Sequence, residues 1–278
     1  MSKSTDPREL KTIGVVGAGR IGTPIIGHLV RKGFATRVCD LNAARASAVK
    51  ERGAEWAAGP EPLAAECDAI LVCVGFDREV QDLLAQRGPL RRARPGTVIA
   101  ILSTIHPKTV QRLARECEGA GLHVVDSTVC RGGEAADKGT LLSFVGGSAE
   151  VVERLTPVLR AYSSDVVHTG GVGTAQVAKA VNNLILWACL VADHEGLALA
   201  QHYGADIEVL RRALLISSCA NGPLEKWGSQ TMAWAEDDMA IVAEMAAEAG
   251  IALPQAGVNR EICRALKPRR YKLDAYGR

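Results

Sequence analysis

The chain has 278 residues, 47% of them hydrophobic and 23% charged, with a net charge of +2. That length accommodates one large domain or two smaller ones around a substantial core, and there is no basic excess to suggest a nucleic-acid partner. Eight cysteines lie scattered through apolar runs without Cys-x-x-Cys spacing, which argues against a zinc ribbon or a thioredoxin-like pair and for reduced thiols in a cytoplasmic protein. Residues 1–10 are polar and lack the apolar centre of a signal peptide, and the longest apolar stretch, 184–192, is too short to span a bilayer, so no membrane role is expected.

In chain order, short β-branched runs alternate with helical patterns, the signature of a parallel sheet. Strands are predicted at 12–16, 36–39, 69–74, 97–102, 123–126, 143–146 and 165–168, with helices at 21–30, 42–52, 78–86, 107–119 and 150–160 between them. Near Gly170 the pattern changes. Residues 174–203 form one long helical pattern without internal proline, about 45 Å if continuous at 1.5 Å per residue. Only helices follow, at 206–215, 224–235, 237–249 and 254–267, before a basic polar tail, 268–278, expected to be mobile or to lie on the surface. Two domains are predicted, 1–168 and 169–278, bridged by the long helix.

The first strand runs into Gly17-Ala18-Gly19-Arg20-Ile21-Gly22 and then an amphipathic helix, the context in which G-x-G-x-x-G binds a dinucleotide. Gly17 makes the turn, Gly19 lets the backbone approach a pyrophosphate, and Gly22 packs helix on strand, with the helix N-terminus holding the phosphate charge. Asp40 ends the second strand, 23 residues after Gly17, where a carboxylate accepts hydrogen bonds from the adenosine ribose and repels a 2′-phosphate. The predicted fold is therefore α/β, an N-terminal Rossmann dinucleotide-binding domain followed by an all-helical C-terminal domain. Candidate cofactor contacts are Gly17, Gly19, Arg20, Ile21, Gly22, Asp40, Val74 and Thr104. Arg20 either meets the pyrophosphate or is solvated. Asp40-Leu41 favours NAD; Arg45, one helical turn on, keeps NADP possible.

Three further segments carry a resemblance. They are Ser103-Thr104-Ile105-His106-Pro107; Asp126-Ser127-Thr128-Val129-Cys130-Arg131-Gly132 with Gly139-Thr140-Leu141 and Val145-Gly146-Gly147; and Gly170-Gly171-Val172-Gly173 followed by Lys179 and Asn182-Asn183. In order and spacing they resemble the S-T-x-x-P, D-A-P-V-S-G-G, G-T-L, V-G-G and G-x-G…K-x-x-N-N pattern of the β-hydroxyacid dehydrogenase family, which contains 3-hydroxyisobutyrate dehydrogenase and tartronate semialdehyde reductase. The resemblance covers about residues 12–205 and weakens after them. It implies a hydride-transferring oxidoreductase for a small-molecule substrate, with Lys179 as general acid/base, Asn183 holding the substrate oxygen or the lysine, and a homodimer or homotetramer. Lys179 and Asn183 are four residues apart and share a helical face. An ordinary lysine pKa of ~10.4 is too high for proton abstraction at neutral pH, and partial burial disfavours the charge in the useful direction.

Two departures bear on the substrate. In the family the S-G-G turn binds the substrate carboxylate; here it reads Cys130-Arg131-Gly132. Arg131 pairs with an anionic group, points to solvent, or partly fills the pocket; Cys130 as a nucleophile is disfavoured because hydride transfer needs none. The family's K-D-L near the C-terminus is matched by Asp237-Asp238-Met239 after Glu236, which changes the local field by about two charges. Either the substrate is less anionic, or Arg131 supplies the missing cation, or the acids only complement a helix N-terminus. No metal site is expected from the histidine spacing, and Asp193-His194-Glu195 is read as helix surface or subunit contact. An imine reductase-like enzyme and a non-catalytic nucleotide-binding regulator are the competing readings.

Overall fold

The computed structural model describes residues 9–229, 232–267 and 271–276. The chain divides into two compact units, Met1–Lys179 and Ala180–Arg278. In chain order the first unit comprises β1 (Thr12–Val16), α1 (Gly22–Arg31), β2 (Ala35–Cys39), α2 (Ala46–Glu51), β3 (Glu55–Trp56), α3 (Pro60–Glu66), β4 (Ala69–Val72) and α4 (Asp77–Leu84). It continues through β5 (Val98–Ile101), α5 (Pro107–Glu118), β6 (His123–Asp126), β7 (Val129–Cys130), α6 (Gly132–Lys138), β8 (Leu141–Gly146), α7 (Ala149–Leu159) and β9 (Ser163–Gly170), and ends inside α8 (Thr174–His202).

The strand order is β3-β2-β1-β4-β5-β6-β8-β7, with β9 also paired to β8. From β3 to β6 every pairing is parallel, as in Ile13↔Thr36, Ile13↔Ala69, Ala69↔Val98 and Val98↔His123. This is the predicted Rossmann arrangement. Because side chains alternate along a strand, each central strand supplies both cores. Ile13, Val15, Leu71, Val98 and Ala100 enter one core with Ile25, Ile26 and Leu29 of α1. Val16, Ile70, Val72, Ile99 and Ile101 enter the other with Leu63 of α3 and Val110 and Leu113 of α5. Full burial of each large aliphatic side chain contributes roughly 1.5–3 kcal/mol, which is why these strands read as continuous apolar runs.

Beyond β6 the sheet departs from the parallel expectation. The chain folds back through β7, so β8 runs antiparallel to both β6 and β7. β9 then pairs parallel with β8. Two strands, β3 and β7, and two helices, α3 and α6, were not predicted. They span two and seven residues respectively, too short for periodicity to register.

The second unit contains the rest of α8 with α9 (Ile207–Leu214), α10 (Gly222–Glu225), α11 (Ala235–Ala249) and α12 (Pro254–Leu266). Its core joins Trp187, Leu190 and Val191 of α8 to Met239 and Val242 of α11 and Ala256 and Cys263 of α12. The helix expected over 224–235 is reduced to α10, followed by turns in which Gly228 adopts φ +87°; Gln230 and Thr231 lie outside the described residues. By length and composition alone α8 is apolar enough to cross a membrane, with a mean hydropathy of 1.4 over its most apolar 18-residue window, whereas the sequence reading weighed only its uninterrupted 184–192 stretch. The helix also carries three buried polar side chains, Gln176, Asn183 and His194.

Where it is described, the tail lies on the surface, with Lys272 and Asp274 exposed. Tyr271 and Tyr276 pack against the helical core, and the Tyr276 hydroxyl donates to Glu195 at 2.9 Å. Residues 268–270 and 277–278 lie outside the described residues, as do 1–8 at the other end. Of Asp193-His194-Glu195, read as helix surface or subunit contact, Glu195 is exposed but His194 is only 1% exposed. It lies 4.6 Å, centroid to centroid, from Trp227 and 5.3 Å from Tyr271, and its Nε2 accepts the Tyr271 N–H at 3.1 Å. All eight cysteines are free thiols, five of them buried.

Candidate active site

The β1–α1 turn admits only glycine at two places. Gly17 has φ +100°, and a Cβ on it would lie 2.2 Å from the Cys73 carbonyl oxygen; a Cβ on Gly22 would lie 2.1 Å from the Gly17 carbonyl oxygen. A Cβ at Gly19 would meet only the Arg45 guanidinium, at 3.7 Å, so that flank of the loop is open to a ligand. At the start of α1 the Thr23 N–H donates to the Gly19 carbonyl at 3.0 Å and Pro24 carries no N–H, so the N–H groups of the turn just before the helix are those a pyrophosphate would meet at its positive end. Ile21 precedes α1 without a side-chain cap.

Asp40, at the end of β2, accepts hydrogen bonds from Ala18 N–H at 2.7 Å, Asn42 N–H at 2.8 Å and the Arg45 guanidinium at 2.6 Å. Burial alone would raise its pKa; the two backbone donors and Arg45 outweigh that and hold the carboxyl below its ordinary value. Arg20 forms two hydrogen bonds to Asp137 of α6, at 2.8 and 2.6 Å. Ala18, Gly19, Arg20, Thr23, Arg45 and Asp137 line one open pocket, and Asp40 is bonded to two of them, Ala18 and Arg45. Glycine loop, helix N-terminus and acidic strand end together fit a dinucleotide.

The next two strand ends are joined by Ser103. Its hydroxyl accepts the Val74 N–H at 3.0 Å and donates to the Val74 carbonyl at 2.9 Å. This fixes the loops carrying Val74 and Thr104 against each other; Thr104 itself is partly buried.

Lys179 is set by the first turns of α8. Asp126, fully buried at the end of β6, accepts the N–H groups of Gly173 at 2.8 Å and Gln176 at 2.9 Å. Its burial raises the pKa, and those backbone donors oppose the rise. The Thr128 hydroxyl donates to the Ala175 carbonyl at 3.0 Å. Held from both sides, the helix directs half-buried Lys179 to the β7 strand, where Nζ donates to the Val129 carbonyl at 2.7 Å and lies 3.9 Å from the Cys130 thiol. An ammonium or amine is thus placed beside the Cys130–Gly132 turn, where the family resemblance implies the substrate.

Arg131 follows with φ +83°, and Gly132 with φ +75°. The Arg131 guanidinium donates to Asp165 at 2.6 Å, Ser164 at 2.9 Å and the Thr140 carbonyl at 3.1 Å. Arg131 is therefore tied to the start of β9 and holds the Asp165 carboxyl below its usual range, with Ser164 assisting. In the second unit, Asn183 is 4% exposed and its Oδ1 accepts from Asn182 at 2.9 Å. The acidic run beginning at Glu236 divides. Glu236 pairs with Arg264 at 3.1 Å and Lys267 at 3.8 Å, Asp237 is exposed in the first turn of α11, and Asp238 is buried and accepts the Trp187 indole N–H at 2.9 Å. Sequence reasoning missed this inward turn of Asp238, and it missed Gln176, although Gln176 sits three residues before the candidate lysine.

Comparison with known proteins agrees with this fold. Residues 12–171 match the NAD binding domain of 6-phosphogluconate dehydrogenase, and residues 173–275 match the NAD-binding domain of NADP-dependent 3-hydroxyisobutyrate dehydrogenase. A Dictyostelium discoideum relative described as a "Probable 3-hydroxyisobutyrate dehydrogenase, mitochondrial" is 32% identical over 70% of this chain and 61% of its own length. The NAD-dependent L-serine dehydrogenase of Pseudomonas aeruginosa is 30% identical over 78% of this chain and 73% of its own. The solved structure of Mycobacterium tuberculosis 3-hydroxyisobutyrate dehydrogenase with L-serine superposes with a TM-score of 0.85, covering 94% of this chain and 95% of that one; at 22% identity it speaks for the fold. With both halves matched, and with the glycine cradle and the lysine turn in place, the chain belongs to the β-hydroxyacid dehydrogenase family.

Proposed function

We propose that this chain is an NAD(P)-dependent oxidoreductase that interconverts a small β-hydroxy acid, or a related small alcohol, and its semialdehyde or ketone, with Lys179 as general acid/base. The observation that carries the reading is the Lys179 Nζ held at 2.7 Å by the Val129 carbonyl, beside the Cys130–Gly132 turn and in the same unit as the dinucleotide cradle. That carbonyl engages one N–H and so orients the nitrogen. In the neutral amine the lone pair takes the substrate hydroxyl proton at Nζ; in the reverse direction the same atom returns it. A bound NAD(P) supplies the hydride chemistry.

Asn183 holds the substrate oxygen or the lysine, and Cys130 with the backbone at Gly132 receives the acid group. The engagement of Arg131 by Asp165 supports recognition by the turn itself rather than by the guanidinium. The exposed place of Asp237 on the first turn of α11 supports the helix-terminus account of the acids. Asp40 favours NAD, while Arg45 beside it leaves NADP accessible. A homodimer or homotetramer is supported by exposed apolar side chains of the helical unit, among them Val181, Ile185, Leu199, Val209 and Ile216. A cytoplasmic setting is supported by the free thiols.

The test follows NAD(P)H absorbance over L-serine, 3-hydroxyisobutyrate and other 3-hydroxy acids, neutral diols and amino alcohols, with both cofactors. A substrate should turn over, and Lys179→Ala should lower kcat by about 10²–10⁴ while cofactor affinity is kept. Cofactor binding without turnover of any of these compounds refutes the assignment.

A further inference from the structure

Gln176 is 1% exposed and takes no part in the chemistry proposed above. Its Oε1 accepts the Ile105 N–H at 3.0 Å, and its Nε2 donates to the Ser103 carbonyl at 2.8 Å. Both partners are backbone groups flanking Thr104. Ser103, through its hydroxyl, also fixes Val74. Hydrogen bonds therefore run without a break from the loops of β4 and β5, which carry two candidate cofactor contacts, to the turn of α8 one step before Lys179. Asp126 and Thr128 tie that same turn to the β6–β7 side. Gln176 ties it to the cofactor side. Residues three apart on a helix lie one above the other, so a shift at Gln176 is passed directly to Lys179.

We infer that Gln176 is a positioning residue for the reaction: its amide clamps the Lys179 helix to the Ser103–Ile105 loop, so that the acid/base nitrogen and the cofactor-bearing strand ends are held as one rigid piece. The inference rests on the proposed role of Lys179. Its physical basis is the steep dependence of rate on placement, where a displacement of about 1 Å can cost on the order of 10²-fold. A residue that only stabilised the fold would change the amount of folded protein and leave the kcat of the folded fraction alone.

The full-length chain is compared with Gln176→Leu and Gln176→Glu. Gln176→Leu removes both bonds. Gln176→Glu keeps the acceptor for Ile105, and its protonated form regains a donor for Ser103. NADH affinity is read by fluorescence titration, and kcat and KM with the best substrate of the panel. Labelling of Lys179 by pulsed acetic anhydride is read by peptide mass spectrometry against exposed reference lysines. In Gln176→Leu, kcat per NADH-competent enzyme should fall at least about 10-fold, with KM and NADH affinity within about threefold, and Lys179 labelling should change by more than about threefold. In Gln176→Glu, kcat relative to wild type should recover as pH is lowered and the carboxyl is protonated. If Gln176→Leu does not fold, this recovery decides. Unchanged kcat with unchanged labelling, or a Gln176→Glu variant without pH-dependent recovery, overturns the inference. If wild type turns over none of the panel, the functional reading falls, while labelling still decides whether Gln176 positions Lys179.

Discussion

Arg131 offers a test in which structure assigns the sign and the size. It is a non-glycine residue at φ +83°, and its guanidinium bridges Asp165, Ser164 and Thr140 on the far edge of the turn. An L-residue in the left-handed region costs roughly 1–2 kcal/mol relative to a right-handed conformation, a cost glycine does not carry. Arg131→Ala removes the ion pair and keeps the strained backbone; Arg131→Gly removes both. The lost ion pair cancels between the two variants, leaving the backbone conformation offset in part by glycine's freer unfolded chain, about 0.4–1 kcal/mol. Arg131→Gly is therefore expected to be more stable than Arg131→Ala by about 0.5–1 kcal/mol in urea unfolding followed by far-ultraviolet circular dichroism. The same pair decides the functional question. With the guanidinium engaged at Asp165, kcat/KM for a 3-hydroxy acid should stay within about threefold of wild type in Arg131→Gly, whereas loss of a charged substrate contact would cost about 10-fold or more. An alanine variant as stable as the glycine variant would refute the backbone argument, and a large selective loss on anionic substrates would refute the placement of the side chain.

Two other expectations can be checked independently. Asp40→Ser releases Arg45 from its 2.6 Å partner and removes the carboxylate from the ribose site, so the ratio of kcat/KM for NADP over NAD should rise by about 10-fold or more; an unchanged ratio would show that the β2 end does not select the cofactor. His194 has a depressed pKa, chiefly because burial disfavours its charge, against smaller opposing effects of the Leu190 carbonyl and Asp193. Since the unfolded chain takes up this proton first, the contribution of His194 to stability is complete above about pH 6.5 and is lost as pH falls through the lower folded value. Protonation also turns Nε2 from acceptor to donor against the Tyr271 N–H. The urea midpoint should drop between pH 7 and pH 5 more steeply in wild type than in His194→Gln, and parallel curves for the two would refute the account.

The sequence by itself determined the glycine turn and the central parallel strands of the nucleotide-binding half. Gly17, Gly19, Gly22 and Asp40 are local demands of a tight turn and a strand end, and the apolar runs that became β1, β4 and β5 are buried on both faces whatever else the chain does. Lys179 was marked by the family resemblance that the glycines and asparagines around it carry. Partnerships across sequence distance were decided only by tertiary structure. Arg131 was left open between substrate and solvent until β9 brought Asp165 beside it, 34 residues on. Asp238, one acid among three, turned inward because α11 packs on α8 and presents it to the Trp187 indole, 51 residues away. Gln176 gave no signal of its own, since a glutamine on a helix is ordinarily solvated and only the fold supplies the two backbone groups that satisfy it. Periodicity and glycine spacing record what each segment needs of its own backbone. The partner of a buried polar group is chosen by how distant segments meet, and a one-dimensional pattern does not carry that meeting.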